Sequence, residues 1–240
     1  MGRPPSLPRR RTRASHHHPV RGALLPPVDR RPRPAHRPRR TRDRPPLTRS
    51  RPREHLMRKI FIDCGTNLGV VLNRFMHELP DHDFYAFEPN PELLPSIRRY
   101  VEQAHHPTRV EVSQSAVWTH DGTIELFLGH HESSTVMPGK RVPPVYDQQI
   151  DYSAPVPVPA IDFSAWLRRT IRPDDHVVVK MDIEGAEYPV LTKLLGDGTI
   201  NLISVLYIEW HHDRFPAMSR AEHDQVAAAV SACVDVRDWD

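Results

Sequence analysis

Five places along the chain set polar side chains at the end of an apolar run, where burial alone gives no reason for them: Asp63, Glu88, Ser115, Asp182 with Glu184, and Glu209 with His211. In an open α/β sheet such ends gather in the crevice where ligands bind. Asp63 opens the block Asp63-Cys64-Gly65-Thr66-Asn67-Leu68-Gly69. Gly65 would let a ligand approach the backbone at the turn, and Gly69 would let the next helix start or pack closely. The Asp63 carboxylate is placed to balance a cationic ligand centre. Glu88 follows Gly69 by about 20 residues, the distance at which an acidic side chain accepts from ribose hydroxyls in nucleotide-binding folds. Together the two signals predict a site for an adenosine-containing cofactor. Nicotinamide dinucleotides are held by the same geometry, although the full Gly-x-Gly-x-x-Gly spacing is missing.

Asp182, Glu184, Glu209 and His211 form the second group. Each pair is spaced i, i+2 and points to one side if its strand persists. Three carboxylates and one imidazole suit removal of a hydroxyl proton. The same four are candidate ligands for Mg²⁺ or Mn²⁺, which would lower the hydroxyl's pKa by coordination. Structural readings stand beside these: Glu184 and Glu187 favour a helix N-terminus by charge, Lys180 pairs with Asp182 along one strand face, and Asn67 caps a helix. The dipeptides His105-His106 and His130-His131 lack a matching partner motif and are expected on the solvated surface.

Bringing those ends to one crevice requires parallel strands with helices returning between them. From Lys59 onward apolar runs and helix-period stretches alternate in that way. Ile60–Asp63 leads to a helical pattern of Val70, Val71, Phe75 and Leu79; Phe84–Glu88 leads to Leu93, Leu94, Ile97 and Val101. Val110–Ser113 runs on through Ala116 to Trp118, and the Asp121-Gly122 turn predicts Thr123–Leu128 as its antiparallel hairpin partner. The stretch from Gly129 to about Tyr152 has no period, and a loop of that length in a compact domain is usually functional. Asp162 or Ser164 caps a helix carrying Trp166 and Leu167. Val177–Asp182 is a continuous β-branched run of the kind buried on both faces. A helix from about Ala186 to Gly196 or Gly198, a strand within Leu202–Trp210, a helix Arg220–Ala232 and a last strand within Val234–Trp239 complete the reading.

Over residues 59 to 240 the sequence resembles the FkbM family of methyltransferases. The likeness rests on the Asp63–Gly69 block, on Phe87-Glu88-Pro89-Asn90-Pro91, on Ala116-Val117 with Asp121-Gly122, and above all on Lys180-Met181-Asp182-Ile183-Glu184-Gly185-Ala186-Glu187. Thr66 stands where alanine is commoner in the family. The resemblance implies a Rossmann-like fold with a mostly parallel sheet and helices on both faces. It also implies S-adenosylmethionine as cofactor and methylation of a hydroxyl on a saccharide or small natural product. By this likeness Asp63, Gly65, Asn67 and Gly69 hold the cofactor, Glu88 takes the ribose, and Ser115 and Ala116 lie near the adenine. Asp182, Glu184, Glu209 and His211 would then face the transferred methyl.

The formal charge of +3 hides a division along the chain. Residues 1–56 hold 17 Arg, no Lys and three acids, a charge of +14, and the remainder carries −11. The folded part therefore offers no bulk positive surface for nucleic acid. A nucleic-acid-binding protein acting through residues 1–56 is the alternative, with a nicotinamide-dependent oxidoreductase, to the methyltransferase. With 12 of the 26 prolines and few aliphatic residues, 1–56 cannot offset its ordering entropy and is expected to be disordered. Either it is a polyanion-binding arm, or translation begins at Met57 and the segment is a leader read from too early a start; His16–His18 lack metal-site spacing. The methyltransferase domain is accordingly placed at 57–240. No apolar run of roughly 18 residues and no signal sequence is present, and two cysteines far apart suggest no disulfide framework, so a cytoplasmic setting is expected.

Overall fold

The computed structural model describes residues 57–237; the 1–56 segment, on which the tail expectations fall, lies outside the described residues. A six-stranded sheet forms the centre. Its strands are β1 (Lys59–Cys64), β2 (Asp83–Phe87), β3 (Val110–Ser113), β7 (His176–Met181), β8 (Val205–Ile208) and β9 (Asp235–Arg237), with β4 to β6 in a second sheet. The order is β3-β2-β1-β7-β8-β9, with every adjacent pair parallel. The chain winds outward from β1 to β3 and then returns to begin again beside β1 at β7, so the strand order switches between these two. Asp63 pairs in register with Lys180, and Cys64 with Met181.

Alternation along β1 explains both layers. Ile60, Ile62 and Cys64 join Val177, Val179 and Met181 in a core covered by α3 (Phe163–Thr170), α4 (Glu187–Asp197) and α5 (Arg220–Ser231). Phe61 and Val178 face the other way, against Leu72 and Phe75 of α1 (Val70–Glu78) and Ile97 of α2 (Leu94–Gln103). Phe61 stacks on Phe75 with centroids 4.4 Å apart. It is wholly buried, so truncation to alanine would cost about 3–5 kcal/mol. β1 and β7 are apolar almost throughout because both of their faces are covered. Asp162 caps α3 by accepting from Ala165 N–H at 2.9 Å, while Ser164 bonds Asp197 and Thr199 instead. Cys64 is buried and Cys233 exposed; both are free.

The second sheet corrects the hairpin expectation. Its strands β4 (Ala116–Trp118), β5 (Gly122–Leu126) and β6 (Val156–Asp162) lie in the order β4-β6-β5. The chain after the Asp121-Gly122 turn pairs antiparallel with β6, not with β4. β6 slots between them, parallel to β4. Two prolines hid it, since Pro157 and Pro159 remove ladder donors and make the run read as non-strand. Both are exposed, while Val158 and Ala160 point inward. β4 reaches only Ala160–Asp162, so the prolines lie where β6 has a single strand neighbour. The stretch 129–152 has no helix, as expected, and folds back through an isolated bridge between Phe127 and Thr135. Among the described residues no helix is long and apolar enough to cross a membrane.

Candidate active site

The carboxyl ends of β1, β2, β7 and β8 open at the switch between β1 and β7. Gly65, just past β1, has φ +81°, and a Cβ there would sit 1.8 Å from the carbonyl oxygen of Asp182. Glycine is therefore demanded by the neighbouring strand end as well as by any ligand. Thr66 is accommodated because its hydroxyl turns inward to Asp63 O and Phe87 O, at 3.3 and 3.4 Å. Asn67 adopts the left-handed region at φ +52°. It does not cap α1, whose N-cap is Gly69 with no side-chain bond. Gly69 serves packing, since a Cβ would lie 3.1 Å from Ile97 Cα and 3.2 Å from the Tyr100 ring on α2.

Glu88 is buried beneath this turn. Asn67 N–H donates to its Oε2 at 2.8 Å and Asn90 N–H to its Oε1 at 2.9 Å. Burial pushes its carboxyl up to about 7 against those two bonds. A partly open cleft lies above it. Phe87, Leu93, Val117, Leu126 and Ile183 give it apolar walls, and Gly65, Asn67, Glu88 and Ala116 line it too. Asn67 Oδ1 is buried and finds no hydrogen-bond partner among the described residues.

Three predicted cofactor residues, Gly69, Ser115 and Asp63, stand back from this cleft. Ser115 is buried with its hydroxyl 2.8 Å from Ser113 Oγ. Asp63 is wholly buried behind the turn, 3.4 Å from Lys180 Nζ. Burial raises the Asp63 pKa and the ammonium opposes that. Lys180 also donates to Gly65 O at 2.6 Å and lies 3.4 Å from Asp182 Oδ2, tying the β1 turn to the β7 end.

A second compartment adjoins the first. Thr66, Val71, Glu132, Tyr146, Lys180 and Glu209 line it, and it shares Asn67, His131, Asp182 and Glu184 with the apolar cleft. His211, buried, sits beneath these carboxylates. Its Nε2 is 3.1 Å from Glu184 Oε2, 3.6 Å from Glu209 Oε1 and 3.9 Å from Asp182 Oδ1. Its Nδ1 donates to Glu187 Oε1 at 3.0 Å. Burial opposes the imidazolium, but the hydrogen bond and charge of Glu187, with Glu184 and Asp182, outweigh it and hold the pKa up at about 9. Burial likewise pushes Glu184 up to about 7, although His211 and Lys140 pull the other way. Glu209 is raised by burial and then by Asp182. All four predicted chemical residues thus converge.

Glu184 is held at φ +58°, a conformation that costs a non-glycine residue about 1–3 kcal/mol and that clusters at working sites. Gly185 follows at φ +105°, where a Cβ would strike the Phe215 ring at 2.2 Å. Glu187, wholly buried, fastens the turn by accepting from Ile183 N–H (3.0 Å) and Gly185 N–H (2.8 Å).

Residues 63–236 match the Methyltransferase FkbM domain family. The chain belongs to that family. Strand order alone does not decide this, because dinucleotide-binding domains share it. The family match sets the nicotinamide reading aside in favour of methyl transfer. No curated protein matches the chain. Among solved structures, the methyltransferase FkbM from Methylobacillus flagellatus KT is similar at 14% identity and a TM-score of 0.44, over 76% of this chain and 40% of that one. Precorrin-6y C5,15-methyltransferase from Geobacter metallireducens GS-15 matches at 9% identity and 0.31, over 74% and 63%. This chain therefore spans less than half the length of the first and under two thirds of the second.

The 129–152 stretch supplies what sequence reasoning missed. Thr135 Oγ1 donates to Glu184 O at 2.6 Å, and the buried Lys140 forms an ion pair with Glu184 Oε2 while donating to Ser133 O. His131, expected on the surface, lines both compartments, and His130 stacks on Tyr146 at 4.6 Å. His105 and His106 are exposed as expected. One signal could have flagged Lys140: the chain has four lysines among 33 basic residues, and Lys140 and Lys180 are both buried at this site.

Proposed function

We propose that residues 57–240 form an S-adenosylmethionine-dependent methyltransferase that methylates a hydroxyl of a saccharide or other small molecule. The observation that carries this is the meeting of a cleft with apolar walls and a carboxylate-lined compartment along Asn67, Asp182 and Glu184. Bound S-adenosylmethionine supplies an activated methyl group on a sulfonium. Gly65, Asn67, Glu88 and Ala116 shape its side of the cleft, and Gly69 lets α2 pack behind the turn. Glu88 still has lone pairs for ribose hydroxyls beyond its two backbone partners, and Asn67 Oδ1 is left to accept from the ligand. Asp63 and Ser115 act from behind, Asp63 by keeping Lys180 in place.

The acceptor lies in the second compartment. Its carboxylates disfavour phosphorylated acceptors and nucleic acid by charge. As the acceptor oxygen takes the methyl, its proton passes into the Asp182, Glu184, Glu209 and His211 cluster, which must hold hydroxyl and methyl in line. Thr135 and Lys140 steady Glu184 from above.

Thermal shift with three ligands tests the cofactor. A ligand that binds only the folded state stabilises it by about 2.7 kcal/mol at 100 times its dissociation constant. S-adenosylmethionine and S-adenosylhomocysteine should each raise the melting temperature, and NAD should not. Stabilisation by NAD alone would overturn the reading.

A further inference from the structure

The cluster around His211 is more constrained than proton transfer requires. One atom each from Asp182, Glu184 and His211 lie within 4.8 Å of one another. Donors about 2.1 Å from one metal ion stand about 3.0 Å apart at right angles and about 3.4 Å apart in a tetrahedron. His211 Nε2 is already 3.1 Å from Glu184 Oε2 and 3.9 Å from Asp182 Oδ1. The far nitrogen is fixed by Glu187, a wholly buried carboxylate that also accepts two backbone N–H groups. A carboxylate in that position is the usual outer partner of a metal-ligating imidazole, setting its tautomer and its aim. Counter-charge is also short. Lys140 answers Glu184 and Lys180 is shared between Asp63 and Asp182, which leaves an excess of carboxylates around Nε2.

We propose that Asp182, Glu184 and the Nε2 of His211 hold one divalent cation on the acceptor side of the cleft, with Mn²⁺ preferred over Mg²⁺. Two carboxylates and an imidazole make a mixed donor set, whereas Mg²⁺ favours oxygen alone. The cation takes the place of the Nε2 proton. Its role in the reaction rests on the methyltransferase reading; its binding does not. Beside a hydroxyl such a cation lowers the hydroxyl's pKa. Glu209, half exposed and 3.6 Å from Nε2, is then the carboxylate left to accept the acceptor's proton.

The test is titration of the EDTA-stripped full chain with MnCl₂, without S-adenosylmethionine, read by calorimetry and by loss of the free Mn²⁺ electron-spin signal. One Mn²⁺ per chain is expected, bound more tightly than Mg²⁺. Asp182→Asn and His211→Ala should each weaken it by about tenfold or more, and Glu187→Gln by about 10–100-fold. Lys140→Met should tighten it by freeing Glu184 Oε2. His130→Ala, at a residue that lines neither compartment, breaks the His130, His131 and Glu132 group and should leave it unchanged. Should Glu187→Gln fail to fold, the Asp182 and His211 variants decide. No Mn²⁺ uptake by the wild type overturns the proposal, as does uptake that survives both of those variants or is lost only in His130→Ala. S-adenosylmethionine affinity measured in EDTA on the same protein keeps the two readings apart, since its loss counts against the cofactor and not against the cation.

Discussion

On one side of Asn67 and Asp182 the cleft is walled by Phe87, Val117 and Leu126, and its one buried carboxylate, Glu88, is held by two backbone N–H groups. On the other side stand Glu132, Glu184, Glu209 and Lys180, fastened by side chains that reach in from α4, from the residues after β8 and from the 129–152 stretch. The first compartment is built by backbone geometry and apolar packing within consecutive motifs. The second is built by charges from distant parts of the chain.

The contrast breaks most completely at Gly65, which packs against Asp182, a residue lining both compartments. Gly65→Val should abolish S-adenosylmethionine binding while circular dichroism still shows a folded domain, because the new Cβ collides with Asp182 O. Wild-type affinity in that variant would mean that the β1 and β7 ends are not rigidly opposed. Asp182→Asn should separate the sides, with turnover down by roughly 100-fold or more. S-adenosylmethionine affinity should stay within a few-fold. An equal loss of both would show that the two compartments are one site.

Glu88→Ala should do the converse, weakening S-adenosylmethionine binding by about 1–3 kcal/mol, the scale of a hydrogen bond to a charged group. Unchanged affinity would remove the ribose assignment. Its raised pKa gives a second handle. A carboxyl that titrates near 7 when folded and near 4.5 when unfolded keeps a proton that the unfolded chain releases. Its contribution to stability is therefore complete below pH 4.5 and lost as pH rises to about 7. Denaturant melts of the ligand-free wild type should fall across that window more steeply than those of Glu88→Gln. Parallel curves would place Glu88 in a wetter setting than its burial implies. The smallest effect expected is none: a chain starting at Met57 should keep its melting temperature and cofactor affinity, and a loss of either would assign residues 1–56 a part in the domain.

Much of the cofactor side was legible in the sequence because its signals are local. Gly65, Gly69 and Glu88 sit within one strand-turn-helix-strand unit, where spacing fixes position, and Val177–Met181 announced a strand buried on both faces. Asp63 and Ser115 were placed at the right strand ends but not at the right depth. Whether a strand-end side chain faces the cleft or the core depends on what packs behind it, here Lys180 and Ser113. β6 went unread because its prolines mask the strand pattern, and with it the hairpin partner was misassigned.

Sequence alone thus determined the order of the central sheet's elements, its parallel strands and the identity of the four acidic and imidazole groups at two strand ends. Only the tertiary structure decided that Glu187 turns inward to grip His211, that Lys140 and Thr135 come down from an irregular stretch onto Glu184, and that His131 lines the cleft. The physical reason is range. Hydrophobic period and turn chemistry act over a few residues and are written where they act. Ion pairs between residues 140 and 184, or 187 and 211, exist only after the sheet has brought their backbones together.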